Sequence, residues 1–114
     1  MSSIVGKPWG WYLDYERHHN LVIKKIHIKP LQRFSLQKHF KRDEFWYILS
    51  GTGTITIDSE LKEVYPEDSF FIPKETIHRL QGGTEGITFL EVQRGECYEH
   101  DIVRLQDDYN RVTD

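Results

Sequence analysis

Short runs of alternating apolar and polar residues, cut every few positions by turn formers, leave this chain little choice but β-structure. Leu21 to Lys29 places Val22, Lys24, Ile26 and Ile28 on one face and Leu21, Ile23, Lys25, His27 and Lys29 on the other, and Pro30-Leu31 ends the run. Ser35 to His39, Glu44 to Ile48, Thr54 to Asp58, Leu61 to Val64, Ser69 to Pro73 and Ile87 to Gln93 read as further strands, with Tyr12 to Arg17 ahead of them. The breaks at His18-His19-Asn20, Lys41-Arg42-Asp43, Gly51-Thr52-Gly53, Ser59-Glu60, Tyr65-Pro66-Glu67-Asp68 and Gly82-Gly83 read as turns. No helical period occurs before residue 98. The pattern predicts an all-β antiparallel sandwich or barrel.

At 114 residues the chain reads as a single domain, 1–114, able to bury one core without disulfides. Its net charge of -3 supplies no general attraction to nucleic acid or to an anionic membrane, so neither is expected as a partner. Any phosphate must be met by a local group of basic side chains. Cys97 is the only cysteine, which excludes an internal disulfide and a cysteine zinc site, and it reads as a small, partly buried side chain. Met1 to Pro8 has no apolar run and no segment approaches membrane-spanning length, which reads as cytoplasmic.

The chemistry concentrates between Phe34 and Gly51. A period of two puts Ser35, Gln37 and His39 on one strand face; the polar turn Lys41-Arg42-Asp43 then leads to Glu44, Trp46 and Ile48 on one face of the next strand. A hairpin of the two would set Glu44 beside His39, bringing an amide oxygen, an imidazole and a carboxylate within reach of one ion. Lys24 shares the Val/Ile face of its strand, so it either reaches the mouth of a barrel or meets a substrate phosphate. Glu91 and Gln93 share a face with Ile87 and Phe89; if that face is inward, both are candidate substrate contacts. Lys7-Pro-Trp-Gly-Trp11 reads as an aromatic plug packed on the domain or on a dimer partner.

These residues carry a resemblance. Gln37, His39 and Glu44 stand where the first cupin motif has His, His and Glu, Gly51 closes that motif, and Pro73 and His78 match the second. The uninterrupted Gln37-x-His39-x-x-Arg42-x-Glu44-x-Trp46 resembles type II phosphomannose isomerase, and Asp101-Ile-Val-Arg104 and Asp107-x-Tyr109-x-Arg111 resemble that family's terminal elements. The resemblance implies a cupin jelly-roll barrel, or double-stranded β-helix, with a short C-terminal tail that serves packing. It implies a divalent metal on Gln37, His39, Glu44 and His78; these donors suit Zn²⁺ best and also admit Mn²⁺, Fe²⁺, Co²⁺ or Ni²⁺. It further implies interconversion of mannose 6-phosphate and fructose 6-phosphate through an enediolate. Arg42 is then the charged catalytic residue, Lys24, Ser35, Arg79 and Gln93 are substrate contacts, and the base is left open between Glu91 and a hydroxide held by the metal. In this family the domain usually follows a guanylyltransferase part, so a separate sugar nucleotidyltransferase is an implied partner, as is a homodimer through Trp9 and Trp11. The family's Pro-x-Gly is here Pro73-Lys74-Glu75, which implies a rearranged loop, and Leu31 and Gly82 also depart from its pattern. Two alternatives stay open: a sugar-binding cupin without turnover, and a cupin dioxygenase using Fe²⁺.

Overall fold

The computed structural model describes residues 3–110, and every element among them is a strand. The order is β1 (Ile4–Lys7), β2 (Gly10–His18), β3 (Leu21–Ile28), β4 (Leu36–Lys38), β5 (Arg42–Ile57), β6 (Glu60–Val64), β7 (Ser69–Ile72), β8 (His78–Gly95) and β9 (Val103–Gln106). All pairings are antiparallel, and the spine is the long pair β5 and β8.

Both spine strands bend in the middle. The first part of β5 pairs the last part of β8, from Arg42 opposite Gly95 to Gly51 opposite Ile87, and the second part runs from Gly53 opposite Gly82 to Ile57 opposite His78. The bend divides the curled sheet into two walls. One wall reads β1-β2-β3-β8-β5-β7 and the other β9-β4-β8-β5-β6. Two expected turns therefore need correcting, because Gly51-Thr52-Gly53 and Gly82-Gly83 lie inside continuous strands. Glycine serves here as a corner and not as an end. Gly51 has φ +81°, and a Cβ on it would lie 2.2 Å from the Gly86 carbonyl oxygen.

The core packs between the walls, with Ile26, Ile28, Phe34, Trp46, Ile48, Ile55, Leu80, Ile87 and Phe89 buried together. Strand β3 shows the alternation that its sequence predicts: Val22, Lys24, Ile26 and Ile28 are buried and their neighbours are partly exposed. Trp9 is 8% exposed and edge-on to Phe34 within this core, so the aromatic opening plugs its own domain and Trp9 is not available to a dimer partner. Trp11 stacks on His27. The expected rearrangement at Glu75 is also corrected. Glu75 itself takes the left-handed conformation, φ +68°, and its N–H donates to the His39 carbonyl at 2.6 Å. A non-glycine residue there costs about 1–2 kcal/mol. The tail does more than pack, because β9 pairs with β4 and so borders the site. Arg111, the last residue of the terminal element, lies outside the described residues.

Candidate metal centre

His39 follows β4, His78 opens β8 and Glu44 lies on the inward phase of β5. They converge although the expected hairpin does not form: β4 pairs with β8 and β9, and no register joins it to β5. His39 and Glu44 instead meet from opposed walls. His39 Nε2 lies 3.2 Å from Glu44 Oε2, and His78 Nε2 lies 3.8 Å from Glu44 Oε1. One donor atom from each of the three lies within 4.8 Å of the others, and all three side chains are buried. Gln37 is directly opposite His78 in the β4–β8 pairing, and its amide oxygen accepts from Ser35 Oγ at 3.3 Å.

The hydrogen bonds fix which nitrogens can coordinate. His39 Nδ1 donates to the Asp101 carbonyl at 2.6 Å and His78 Nδ1 donates to the Thr76 carbonyl at 2.9 Å. A carbonyl only accepts, so each ring carries a proton on Nδ1 and turns Nε2 toward Glu44. His78 Nε2 is buried without a hydrogen-bond partner. Burial, together with the Arg42 and His78 charges, pushes His39 down to about 3, so it is neutral at ordinary pH. Burial works to raise Glu44, but His78 and Arg42 outweigh it and keep the carboxylate ionised. A neutral His39 and an ionised Glu44 are the forms in which these groups bind metal. The residues present therefore fit a divalent ion.

Arg42 does not sit in the expected Lys41-Arg42-Asp43 turn. It is the first residue of β5, 6% exposed, with Nε donating to Glu44 Oε2 at 2.9 Å and Nη2 lying 3.2 Å from His39 Nε2. Glu91 is inward and buried; burial and then the nearby Glu44 charge push it up to about 7. Trp46 Nε1 donates to both Glu44 Oε1 and Glu91 Oε1, at 3.0 and 3.1 Å. The Trp46, Phe34 and His78 rings lie edge to face beneath this group.

A cavity of about 660 Å³, counted to its open mouth and including the solvent there, lies above the cluster. Ser35, Gln37, His39, Arg42, Glu44 and Glu91 line it on one side and Lys24 on another. Three candidates, His78, Gln93 and Arg79, are not among its lining residues. Gln93 sits one layer back, donating to Glu91 Oε2 at 2.8 Å. Arg79 faces away from the cavity and is buried, not outward: it bonds the Phe34 carbonyl and Gln106. Sequence reasoning missed Asp101, whose carboxylate accepts from the Phe40 and Lys41 N–H groups at 2.9 Å while its carbonyl holds His39. It also missed Lys7, Tyr12, Glu99 and Arg104 on the cavity wall. Only the terminal Asp101-Ile-Val-Arg104 resemblance gave a signal for any of these.

A family model described as mannose-6-phosphate isomerase, C-terminal, matches residues 1–107. The chain belongs to that family. Among curated proteins, this mannose-6-phosphate isomerase C-terminal domain is 34% identical over 114 residues to mannose-1-phosphate guanylyltransferase ManC of Salmonella typhimurium, covering 98% of the chain and 24% of the relative. It is 37% identical over 112 residues to the alginate biosynthesis protein AlgA of Pseudomonas aeruginosa, covering 96% and 23%. The chain thus spans about a quarter of these relatives' length. Solved structures establish the cupin fold: oxalate decarboxylase of Bacillus subtilis superposes with TM-score 0.80 at 23% identity, over 91% of the chain and 30% of the decarboxylase. KdgF from Halomonas superposes with TM-score 0.76 at 13% identity, over 86% and 89%. One structure of the decarboxylase concerns its Mn(II) centres.

Proposed function

We propose that this chain, acting as one domain over residues 1–114, is a metal-dependent isomerase interconverting mannose 6-phosphate and fructose 6-phosphate. The observation that carries the reading is the buried His39–Glu44–His78 cluster with both Nε2 atoms turned inward, beside a cavity that also holds Arg42, Glu91 and Lys24. A divalent ion, Zn²⁺ by preference of the donors and Mn²⁺, Fe²⁺, Co²⁺ or Ni²⁺ by their tolerance, would be held by His39, His78, Glu44 and Gln37 and supplies Lewis-acid polarisation of the sugar C1 and C2 oxygens.

The chain's own groups do the rest. Glu91, fixed by Trp46 and Gln93, takes the proton from C2 of the aldose and returns it to C1, while the hydroxyl proton passes from O2 to O1. Arg42 stabilises the negative charge that develops on the enediolate oxygens. Lys24 and Ser35 hold the phosphate and sugar hydroxyls. Partial wash-in of deuterium at C2 of mannose 6-phosphate in D₂O is the expected signature of the enediolate, since a direct hydride shift between C2 and C1 exchanges nothing with solvent, and turnover that survives Glu91→Gln at the wild-type rate contradicts the role of Glu91. Arg42→Ala is expected to lower kcat by about 10²–10³; unchanged kcat would sink its role.

For a homodimer, the surface on offer is the outer face where Phe45 pairs with Phe71 beside Tyr47, exposed by 48%, 58% and 40%. Sedimentation velocity is expected to show a dimer that Phe45→Glu converts to monomer. A wild-type monomer at tens of micromolar removes the proposal.

A further inference from the structure

The segment between β8 and β9 is tied to the cavity at each step. The Cys97 N–H donates to the His19 carbonyl at 2.8 Å, the Tyr98 carbonyl accepts from Arg42 Nη1 at 3.3 Å and Asp101 holds His39. Between these anchors, Glu99 Oε1 accepts from Lys24 Nζ at 2.9 Å and from Arg17 Nη2 at 2.7 Å. The Lys24 side chain is 7% exposed, whereas that of Glu99 is 56% exposed at the cavity mouth. Lys24 Nζ also sits 4.2 Å above the Tyr12 ring. Burial pushes Glu99 up, but Lys24 and then Arg17 bring it down to about 2, so it is a carboxylate throughout the working pH range.

Three acids line the cavity, and they differ in one respect. Glu44 and Glu91 are buried and held by Trp46, while Glu99 is solvent-facing and bonded only through a pair of cations. An anion entering from the mouth meets Lys24 already neutralised by Glu99. A phosphate monoester carries about 1.5 to 2 negative charges and three strong acceptor oxygens, and so can replace one carboxylate on both cations. A neutral hydroxyl cannot, since it would leave a buried ammonium without its counter-charge.

We propose that Glu99 is an internal competitor for ligand phosphate: its carboxylate occupies the anion position on Lys24 and Arg17 that a phosphate ester takes, so it must be displaced as phosphate binds and sets how tightly phosphate is held. This rests on the sugar-phosphate reading of the site, and it adds the residue that the phosphate displaces.

The test is binding of inorganic phosphate to the metal-reconstituted chain by calorimetry, in the wild type, Glu99→Gln, Lys24→Met and the double variant. Removing the competing carboxylate in Glu99→Gln is expected to tighten phosphate on the order of tenfold, leave free mannose unchanged and vanish in the Lys24→Met background. Glu99→Ala is expected to act in the same direction, so a local packing effect of the amide does not decide the matter. Phosphate binding that weakens or stays equal in both Glu99 variants overturns the proposal, as does tightening that persists without Lys24. Turnover of mannose 6-phosphate is read separately: activity with no gain in phosphate binding removes this inference alone, and a gain without activity removes the isomerase reading alone.

Discussion

His78→Gln is expected to abolish metal-induced stabilisation of the chain while leaving the metal-free protein close to wild-type stability. His78 Nε2 has no hydrogen-bond partner in the fold, so the one polar contact given up is the Nδ1 bond to the Thr76 carbonyl, worth about 0.5–1.5 kcal/mol. Its ring does touch Trp46 and Phe34, so some packing is lost, but the shorter amide still fills part of that space. A ligand at a hundred times its Kd stabilises a protein by about 2.7 kcal/mol, and the wild type is expected to show at least that much with saturating divalent ion. Scanning calorimetry with and without metal reads both numbers. Turnover of the variant is expected to fall by more than the roughly 10- to 100-fold typical of losing a residue that merely supports a ligand. A variant that keeps the full metal-dependent rise in Tm removes His78 from the ligand set. Glu44→Gln is the less clean experiment, because it strands the buried Arg42 guanidinium, and breaking such a pair costs about 3–5 kcal/mol by itself.

Trp46→Ala is expected to be the most destabilising single change, at about 3–5 kcal/mol, the usual range for deleting a buried aromatic. Trp46 is fully buried, packs on Phe89 at 4.8 Å between ring centroids and stands edge-on to Phe34 and His78. Its indole N–H is also the single donor shared by Glu44 and Glu91. Trp46→Phe separates the two roles. It keeps most of the packing and costs about 1–3 kcal/mol for the two acceptors left without their donor. Denaturant melts measure both variants. Near-equal cost for Phe and Ala would assign the whole effect to the N–H, and no cost for Phe would show that the shared donor contributes nothing.

The residues that were legible in the sequence are those whose placement depends on strand phase. Alternation alone put Lys24 with Val22 and Ile26, and Glu44 with Trp46 and Ile48, and it aligned Glu91 and Gln93 with Ile87 and Phe89; each of these sets is buried. Phase is a local property, fixed by the chain's own geometry. What it left open is which strands neighbour which. His39 and Glu44 are close in sequence and meet in space, so a hairpin accounted for them cheaply, yet they come from opposed walls joined by the bent β5–β8 pair. That bend was hidden because glycines at 51, 53, 82 and 83 give the same local signal for a turn and for a corner within a strand. Glu99 and Asp101 lay beyond reach for another reason. They sit in an irregular segment with no periodicity to read, and their importance comes from partners more than sixty residues away.

If the buried His39–Glu44–His78 cluster makes this domain a metal-dependent sugar-phosphate isomerase, the purified protein turns over mannose 6-phosphate only with its metal. The most direct test is a coupled assay of the purified, metal-reconstituted chain on mannose 6-phosphate, following fructose 6-phosphate with and without chelator. Turnover that chelator abolishes and added divalent ion restores is the expected result. Metal bound at the cluster with no fructose 6-phosphate formed, whichever divalent ion is supplied, would contradict it and leave a sugar-phosphate-binding cupin in its place.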